Sequence, residues 1–519
     1  MEEKIKQAIE NIAKNLEVHK EYIRFDNTEQ IYIIEDYLDN KIIEIKKDIK
    51  FDNLMDYPLK FSYCNFLETV IGWNKTFKEK IIFKEVVFCK VVNFSFSIFD
   101  KNINFSNVKF EDKLYFEKCQ FKEKFEFFGI NNLKVEFNNS LFEKEVYFGK
   151  EINDKNIEKS NSFGSCSFEY ANFSNCYFKN EVYFKNNEFK QVFFRNSKFN
   201  DNVYFNNSVF KDYTDFHECE FEKTANFYRV RFDKTPNFSQ AIFKGNLNAV
   251  NTNLNFTFDD LQERIKQEYA FYETQRTAKE AGVIPNLYQE KSLDKFANDF
   301  RDSFRIFKNA LIKDNNLLDA SNFHKYELYC KEIELKNKKG KTFKDVVDRW
   351  QLLFYRKLCD HHTDILQSLN SLILVIGIFV ISSVAMVVGF NYSLGYKPIL
   401  EHWYFSLDFY NHHINSIIQD NYLFVATVNL VMLFGYLILV GFALCLKYMR
   451  EFFIIISYVI TLLVLAISPK ILIPAMGIFT DKRAMLDPLS VFGGIYTIIF
   501  GFVAFSFIKT IRKNSIVPS

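Results

Sequence analysis

Residues 184–210 read FKNNEFKQVFFRNSKFNDNVYFNNSVF, with a phenylalanine at every fifth or sixth place. The ladder Phe184, Phe189, Phe194, Phe199, Phe205 and Phe210 continues through Phe216, Phe221, Phe227, Phe232, Phe238 and Phe243. An earlier stretch keeps the same beat, from Phe83 through Phe88, Phe94, Phe99, Phe105, Phe110 and Phe116 to Phe121. A helix does not align these side chains. At about 100° per residue, a step of five rotates a side chain by about 140°, which splits the aromatics into two stripes. The intervening Asn, Ser and Val are also weak helix formers. A continuous strand fails as well, because an odd step throws successive Phe onto opposite faces. What remains is a chain that turns a corner every five or six residues and returns each Phe to one axis.

The residues between the Phe fit that geometry. Five-residue steps often carry Asn two places after the Phe, at Asn107, Asn139, Asn175, Asn186, Asn196 and Asn207. Asn tolerates left-handed backbone and closes its own turn, so it suits a corner. Six-residue steps end in a small or β-branched residue two places before the next Phe, as at Val92, Ile103, Leu114, Val146, Val182, Val203, Ala225 and Pro236. Five-residue steps often put Cys or Ser there, at Cys119, Cys166, Cys176, Ser197, Ser208 and Cys219. One large and one small inward residue per side fill a narrow solenoid core. The pattern resembles the pentapeptide-repeat family, whose units set a small residue two places before a central Leu or Phe. The resemblance covers about residues 61–243 and implies a right-handed quadrilateral β-helix. This chain departs from that pattern in its nearly invariant Phe centre and its frequent six-residue steps. About eight coils are expected, stacked at about 4.8 Å over about 40 Å. The beat breaks between Phe148 and Phe163, where polar residues 149–162 read as a loop bulging from one coil.

The second half changes character. Apolar runs at about 368–390, 422–446, 452–468 and 489–508 predict about four membrane spans. Basic residues at Arg356 and Lys357, at Lys447 and Arg450, and at Lys509, Arg512 and Lys513 place both termini in the cytoplasm by the positive-inside rule. Met1-Glu2-Glu3-Lys4 opens a charged helical pattern without the apolar core of a signal peptide. The domain reading is an N-terminal cap over 1–60, helical or mixed; a β-helix over 61–250; a helical adaptor over 251–366; and a transmembrane domain over 367–519. In the adaptor, Thr257 starts a helix to about Gly282 that can close the end of the solenoid, since a bare last coil offers unpaired strand edges. Ser292 then starts an antiparallel hairpin with its own core. Its stretch Arg301–Glu334, with Ala320, Phe323 and Glu327, resembles a helical segment of bacterial membrane proteins that carry pentapeptide repeats. A last helix from about Thr342 is expected to run through Trp350 and Phe354 into the first span.

Composition narrows function. The formal charge is +2, and residues 61–243 hold roughly 26 basic and 25 acidic side chains, so no anionic, DNA-like field is expected. The nine Cys show no paired spacing, and those of the repeat read as buried thiols. No phosphate loop, Cys-x-x-Cys pair or nucleophile elbow occurs, so no catalytic, cofactor-binding or metal-binding residue is assigned. His361-His362-Asp364, and the outer-loop group of Glu401, His402, Asp408, His412 and His413, contain ligand-type residues but match no zinc spacing. The resulting expectation is a non-enzymatic, membrane-anchored scaffold or sensor in a bacterial inner membrane. It meets membrane lipid and a protein partner on the β-helix, near the 149–162 loop; nucleic acid is not expected, and a homo-oligomer is compatible. The alternative is an ion channel or transporter regulated by the rod, with residues 469–479 re-entering the membrane.

Overall fold

A computed structural model describes residues 2–37, 41–149, 165–254, 256–280, 291–393, 413, 417, 421–445, 447–467 and 488–514. The chain divides into two compact units, Met1–Gly340 and Lys341–Ser519.

The first unit is a four-sided parallel β-solenoid. Each side is a strand of two to six residues, and apart from the antiparallel first pair, Ile23–Asp26 with Ile31–Ile34, the strands pair in parallel with those one coil away, usually about 22 residues on. Thus Phe61, Phe83, Phe105 and Phe127 stand in register on one face, and Phe99 opposite Phe121 on another. The expected coil count of eight becomes about nine. The reason is that parallel pairing extends past the ladder at both ends: Tyr32 pairs with Leu59, Ile43 with Cys64 and Ile49 with Val70, and Leu247 still pairs with Ala225.

The corners follow from the Asn positions. Asn107, Asn139, Asn175, Asn186, Asn196 and Asn207 all have φ between 52° and 61°. In the coils around them the N–H three residues after a central Phe bonds back to its carbonyl, as Ser208 does to Phe205 (3.1 Å) and Ser197 to Phe194 (3.1 Å). A turn with a left-handed third residue is the type II pattern, which Gly and Asn fit best. The corner tolerates other side chains, since Lys118, Glu218 and Arg229 adopt the same φ.

All four faces send their Phe rings into one continuous core. Along the axis, rings on the same face stack nearly parallel: Phe184 on Phe205 at 5.1 Å and 4°, Phe194 on Phe216 at 4.9 Å and 7°. Across the axis they meet edge to face, as Phe205 meets Phe216 at 5.5 Å and 84°. Residues 150–164 lie outside the described set, and with them nearly all of the expected 149–162 loop. The stack is nonetheless continuous across that insertion, because Phe148 lies against Phe127 on one side and Phe184 on the other, at 5.7 and 4.8 Å.

Both ends of the stack are closed. Helix α1 (Glu2–Leu16) turns Ala8, Ile12 and Leu16 inward, one every turn or so, and leaves its charged side in solvent. At the other end come α2 (Phe258–Glu280), α3 (Leu293–Lys313) and α4 (Leu317–Asn337). The hairpin of α3 and α4 does not have a separate core, as the sequence pattern suggests. Phe307 of α3 sits edge-on against Phe238 (4.8 Å) and Phe227 (5.9 Å) and stacks on Phe323 of α4 (5.3 Å), so one core runs through solenoid and helices. The last coil would otherwise show bare rings to water, and α3, more than α2, covers them.

The second unit contains α5 (Phe343–Cys359), α6 (Ile365–Ser393), α7 (Tyr422–Cys445), α8 (Lys447–Ile467) and α9 (Pro488–Asn514). Three stretches among the described residues are long and apolar enough to cross a membrane: Ile365–Phe390, Tyr422–Ala443 and Val491–Arg512. The expected fourth, α8, opens with Lys447, Arg450 and Glu451. Its uninterrupted apolar part is about 24 Å long at 1.5 Å per residue, short of a hydrocarbon core of about 30 Å. Residues 469–479, proposed above to re-enter the membrane, lie outside the described residues.

The left-handed corners predict a simple substitution series. Asn186→Gly leaves the urea unfolding midpoint within experimental error of the parent, whereas Asn186→Val, whose branched side chain resists positive φ, lowers stability by about 1–2 kcal/mol.

Candidate functional site

The inward positions are committed to structure. At the corners, Ser and Cys side chains satisfy main-chain groups of two coils. Ser208 Oγ donates to the Phe184 carbonyl (2.5 Å) and accepts from the Asn187 N–H (3.1 Å); Cys119 and Cys219 donate their thiols to the carbonyls of Phe94 (3.1 Å) and Phe194 (2.8 Å). Burial pushes the thiols of Cys119, Cys166 and Cys176 up to about 12, which keeps them protonated and poor nucleophiles. Binding chemistry therefore falls to the outward positions.

Two outward features stand out. On one face Tyr147, Tyr183 and Tyr204 stack at 4.8 and 4.9 Å, half-buried, with Lys185 Nζ over the last two rings at 5.5 and 5.2 Å. On another face, lysines and carboxylates alternate between coils, as in Lys198–Glu222 (3.0 Å), Lys244–Glu222 (2.8 Å) and Lys122–Asp100 (2.7 Å). Such exposed pairs contribute little stability each, but they leave the surface neutral and polar. The cleft lined by Arg231, Phe232, Asp233 and Asn253 has a volume near 120 Å³, below the about 300 Å³ of a typical small-molecule site.

The family described as "Pentapeptide repeats (9 copies)" matches residues 173–220 and 205–248, within the four-sided coil just described. The solenoid is a pentapeptide-repeat domain. No curated protein and no solved structure matches the chain.

One charged cluster of the pentapeptide-repeat domain is buried. The place just before the ladder Phe is often Asn, whose side-chain oxygen accepts the N–H two residues on, as Asn226 does from Tyr228 (3.0 Å). At this place in one coil stands Asp215, which keeps that bond to His217 N–H (2.9 Å) and is fully buried (0% exposed). Its other oxygen takes the Arg195 guanidinium and the Tyr213 hydroxyl (3.1 Å). Helix α2 completes the group: Glu268 accepts from Arg264 (2.9 Å), and Arg264 lies 3.7 Å over the Tyr213 ring. Burial disfavours the Arg195 charge, but Asp215, Tyr213 and Glu268 more than offset this and raise its pKa. Burial and the nearby Asp215 raise that of Glu268. Two cations and two carboxylates close on one another, so the group docks α2 on the solenoid wall and does not form an open site.

The α3–α4 hairpin carries a second network. Arg305 Nε donates to Glu327 at 3.0 Å and Lys308 Nζ at 2.5 Å, while Arg301 pairs with Glu334. Burial acts to raise the pKa of Glu327, but hydrogen bonds from His324, Lys308 and Arg305 outweigh it and hold the carboxyl at about 2. The residues singled out in the sequence, Arg301, Glu327 and Glu334, thus clamp α3 to α4 above the end of the ladder.

The remaining candidates are accounted for locally. Asp364 accepts the Gln367 N–H at the start of α6 (2.8 Å), and His362 Nδ1 lies 3.1 Å from Thr510 Oγ1. Of the outer-loop group, Glu401, His402, Asp408 and His412 lie outside the described residues. Among the described residues no three His, Cys, Asp or Glu side chains gather as metal ligands. The Asp215 cluster was not singled out in the sequence; the one available signal is an Asp standing where other coils of the same face place Asn93, Asn172 and Asn237.

Asp215→Asn keeps the turn and removes the charge. It lowers unfolding free energy by about 1–3 kcal/mol by leaving Arg195 poorly paired. The same exchange at exposed Asp233 costs less than about 1 kcal/mol. Glu327 adds a pH dependence. Its folded pKa is depressed, so its contribution is full above its ordinary 4.5 and is lost as pH falls toward 2. Urea midpoints measured across that window fall with pH in the parent and fall less steeply in Glu327→Gln.

Proposed function

We propose that the chain is a non-enzymatic scaffold that holds a pentapeptide-repeat domain at a membrane for a protein partner. The observation that carries this reading is the pairing, in one chain, of a self-saturated solenoid with a unit containing three helices apolar enough to cross a membrane. The solenoid's inward groups are spent on stacking and corner bonds. Its variable side chains all face outward on a stiff lattice, a presentation suited to recognising another macromolecule rather than enclosing a small substrate. The stacked tyrosines with Lys185 give the partner an aromatic and cationic strip, and Tyr is a preferred interface residue. A near-neutral surface favours protein over nucleic acid.

In this reading the membrane is a bacterial inner membrane. Basic residues at the end of α5 and at the junction of α7 and α8 favour the cytoplasmic side for those ends, and with them for the solenoid. A homo-oligomer is compatible with it.

The test is reconstitution of the full-length chain in liposomes. The protein remains with the lipid after alkaline extraction, and ion flux does not exceed that of empty liposomes at any imposed gradient or tension. Flux above that background overturns the scaffold reading in favour of the channel or transporter.

A further inference from the structure

Helix α5 is amphipathic, and its apolar side is uncovered. At helical spacing, Phe343, Val346, Val347, Trp350 and Phe354 form one stripe, and all five are exposed, Phe343 by 85% and Trp350 by 63%. The flanks and far side carry Lys344, Arg349 and Arg356 against Asp345 and Asp348, and Lys357, seven residues after Trp350, ends the stripe. The Asp345 carboxylate is engaged in a capping box with Thr342 (2.8 Å) that starts the helix. The surface toward any partner is thus apolar at its centre and net basic at its rim.

Contrary to the sequence expectation, α5 does not run on into the first apolar helix. Asp360, His361 and His362 have φ of 47°, 57° and 66°, three left-handed residues in succession, and they end the helix outright. The break is held in place. Gln367 of α6 donates its amide to the carbonyls of Arg356 (2.8 Å) and Lys357 (2.9 Å), and Ser371 donates to that of Leu358 (2.8 Å). The last carbonyls of α5 are met by the Asp360 cap N–H and by side chains from the first turns of α6, so the direction in which α5 leaves is fixed. Beyond the break the exposed apolar surface resumes at once with Ile365 and Leu366 of α6, and on α9 with Phe502 and Phe505.

We propose that α5 is an interfacial anchor, its Phe343–Phe354 face seated in the headgroup–acyl boundary of the bilayer that the apolar helices cross. The proposal rests on the reading that those helices are membrane-embedded. A lipid surface fits for three reasons. At its C-terminal end the stripe meets the apolar surface of α9, for which lipid is the solvent, where Phe354 packs against Phe502 (5.7 Å). A central Trp is the side chain that bilayer interfaces favour. The basic rim matches lipid phosphates, with Lys and Arg stems long enough to reach them from a helix sunk about 5–10 Å into the boundary.

The experiment uses the full-length chain with Trp73→Phe and Trp403→Phe, which leaves Trp350 as the sole tryptophan. It is reconstituted in vesicles of phosphatidylcholine and phosphatidylglycerol, with and without brominated acyl chains. The expected result is blue-shifted Trp350 emission, protected from acrylamide, that loses more intensity to bromine near the headgroup end of the chain than to bromine near its tip. A second variant in the same background, Trp350→Phe with Leu430→Trp, reports on α7. If Leu430→Trp is quenched by deep bromine while Trp350 emits as in water, the anchor is overturned and the spanning helices stand. If neither is quenched, the spanning reading fails and the anchor with it. Blue-shifted Trp350 emission that no brominated lipid quenches also overturns the anchor, because a second copy or another protein then covers the face.

Discussion

The spacing between hydrogen-bonded strands governs this molecule. Parallel strands lie about 4.7–4.9 Å apart, and a chain that coils on itself must repeat at that distance along its axis. An aromatic ring stacked on its equivalent one coil away is held at nearly the same spacing: Phe178 to Phe199 at 4.9 Å, Phe205 to Phe227 at 4.9 Å, Phe216 to Phe238 at 4.5 Å. Backbone ladder and ring stack therefore share one period. Four rings per coil, cofacial along the axis and edge-on across it, satisfy the preference of aromatic quadrupoles for offset and T-shaped neighbours while leaving no gap. Phe is favoured for this because it fills the quadrant without bringing a polar tip that would need a partner on the axis.

A stack with one period has no internal reason to stop, and the ends show how it is made to. At each end a small residue replaces Phe and a ring from the cap fills the space. Gly72 occupies the Phe position one coil before Phe94, where an added Cβ would lie 2.4 Å from the Phe94 ring. Phe51, from the short turn preceding the first full coil, packs there instead, 5.6 Å from Phe94. At the far end Ala249 stands one coil after Phe227, and Phe307 of α3 takes the vacated place. The caps are thus extensions of the core, which explains why the α3–α4 hairpin shares that core rather than folding around one of its own.

This division separates what was legible in the sequence from what was not. The coil and its corners could be read because each Phe and each Asn answers a local demand that repeats: one ring per side, one left-handed residue per turn. Asn107 through Asn207 mark corners for that reason. The ends could not be read in the same way, since the meaning of Gly72 or Ala249 depends on Phe51 and Phe307, which are distant in sequence and carry no periodic signal. The Asp215–Arg195–Glu268–Arg264 group was hidden for a related reason. Asp215 looks like a conservative variant of a turn Asn until α2 brings Glu268 and Arg264 over it. The third apolar run, 452–468, reads as a span by hydropathy, but the helix that carries it begins with Lys447, Arg450 and Glu451, which leaves its apolar part short.

The same constraint indicates where binding specificity can reside. A substitution at an inward position acts on two neighbouring coils at once, through the rings above and below, and the cost of a cavity or a clash is felt along the stack. Outward positions are coupled only by weak rungs such as Lys198–Glu222 and by the half-buried Tyr147–Tyr183–Tyr204 column, so they can change without disturbing the coil. A solenoid of this kind keeps its shape while its surface varies. A partner of the kind proposed above would meet side chains arranged at the coil spacing along a face, and complementarity would come from groups presented at the same interval. An extended strand or a helix face supplies such regularity; a compact small molecule does not.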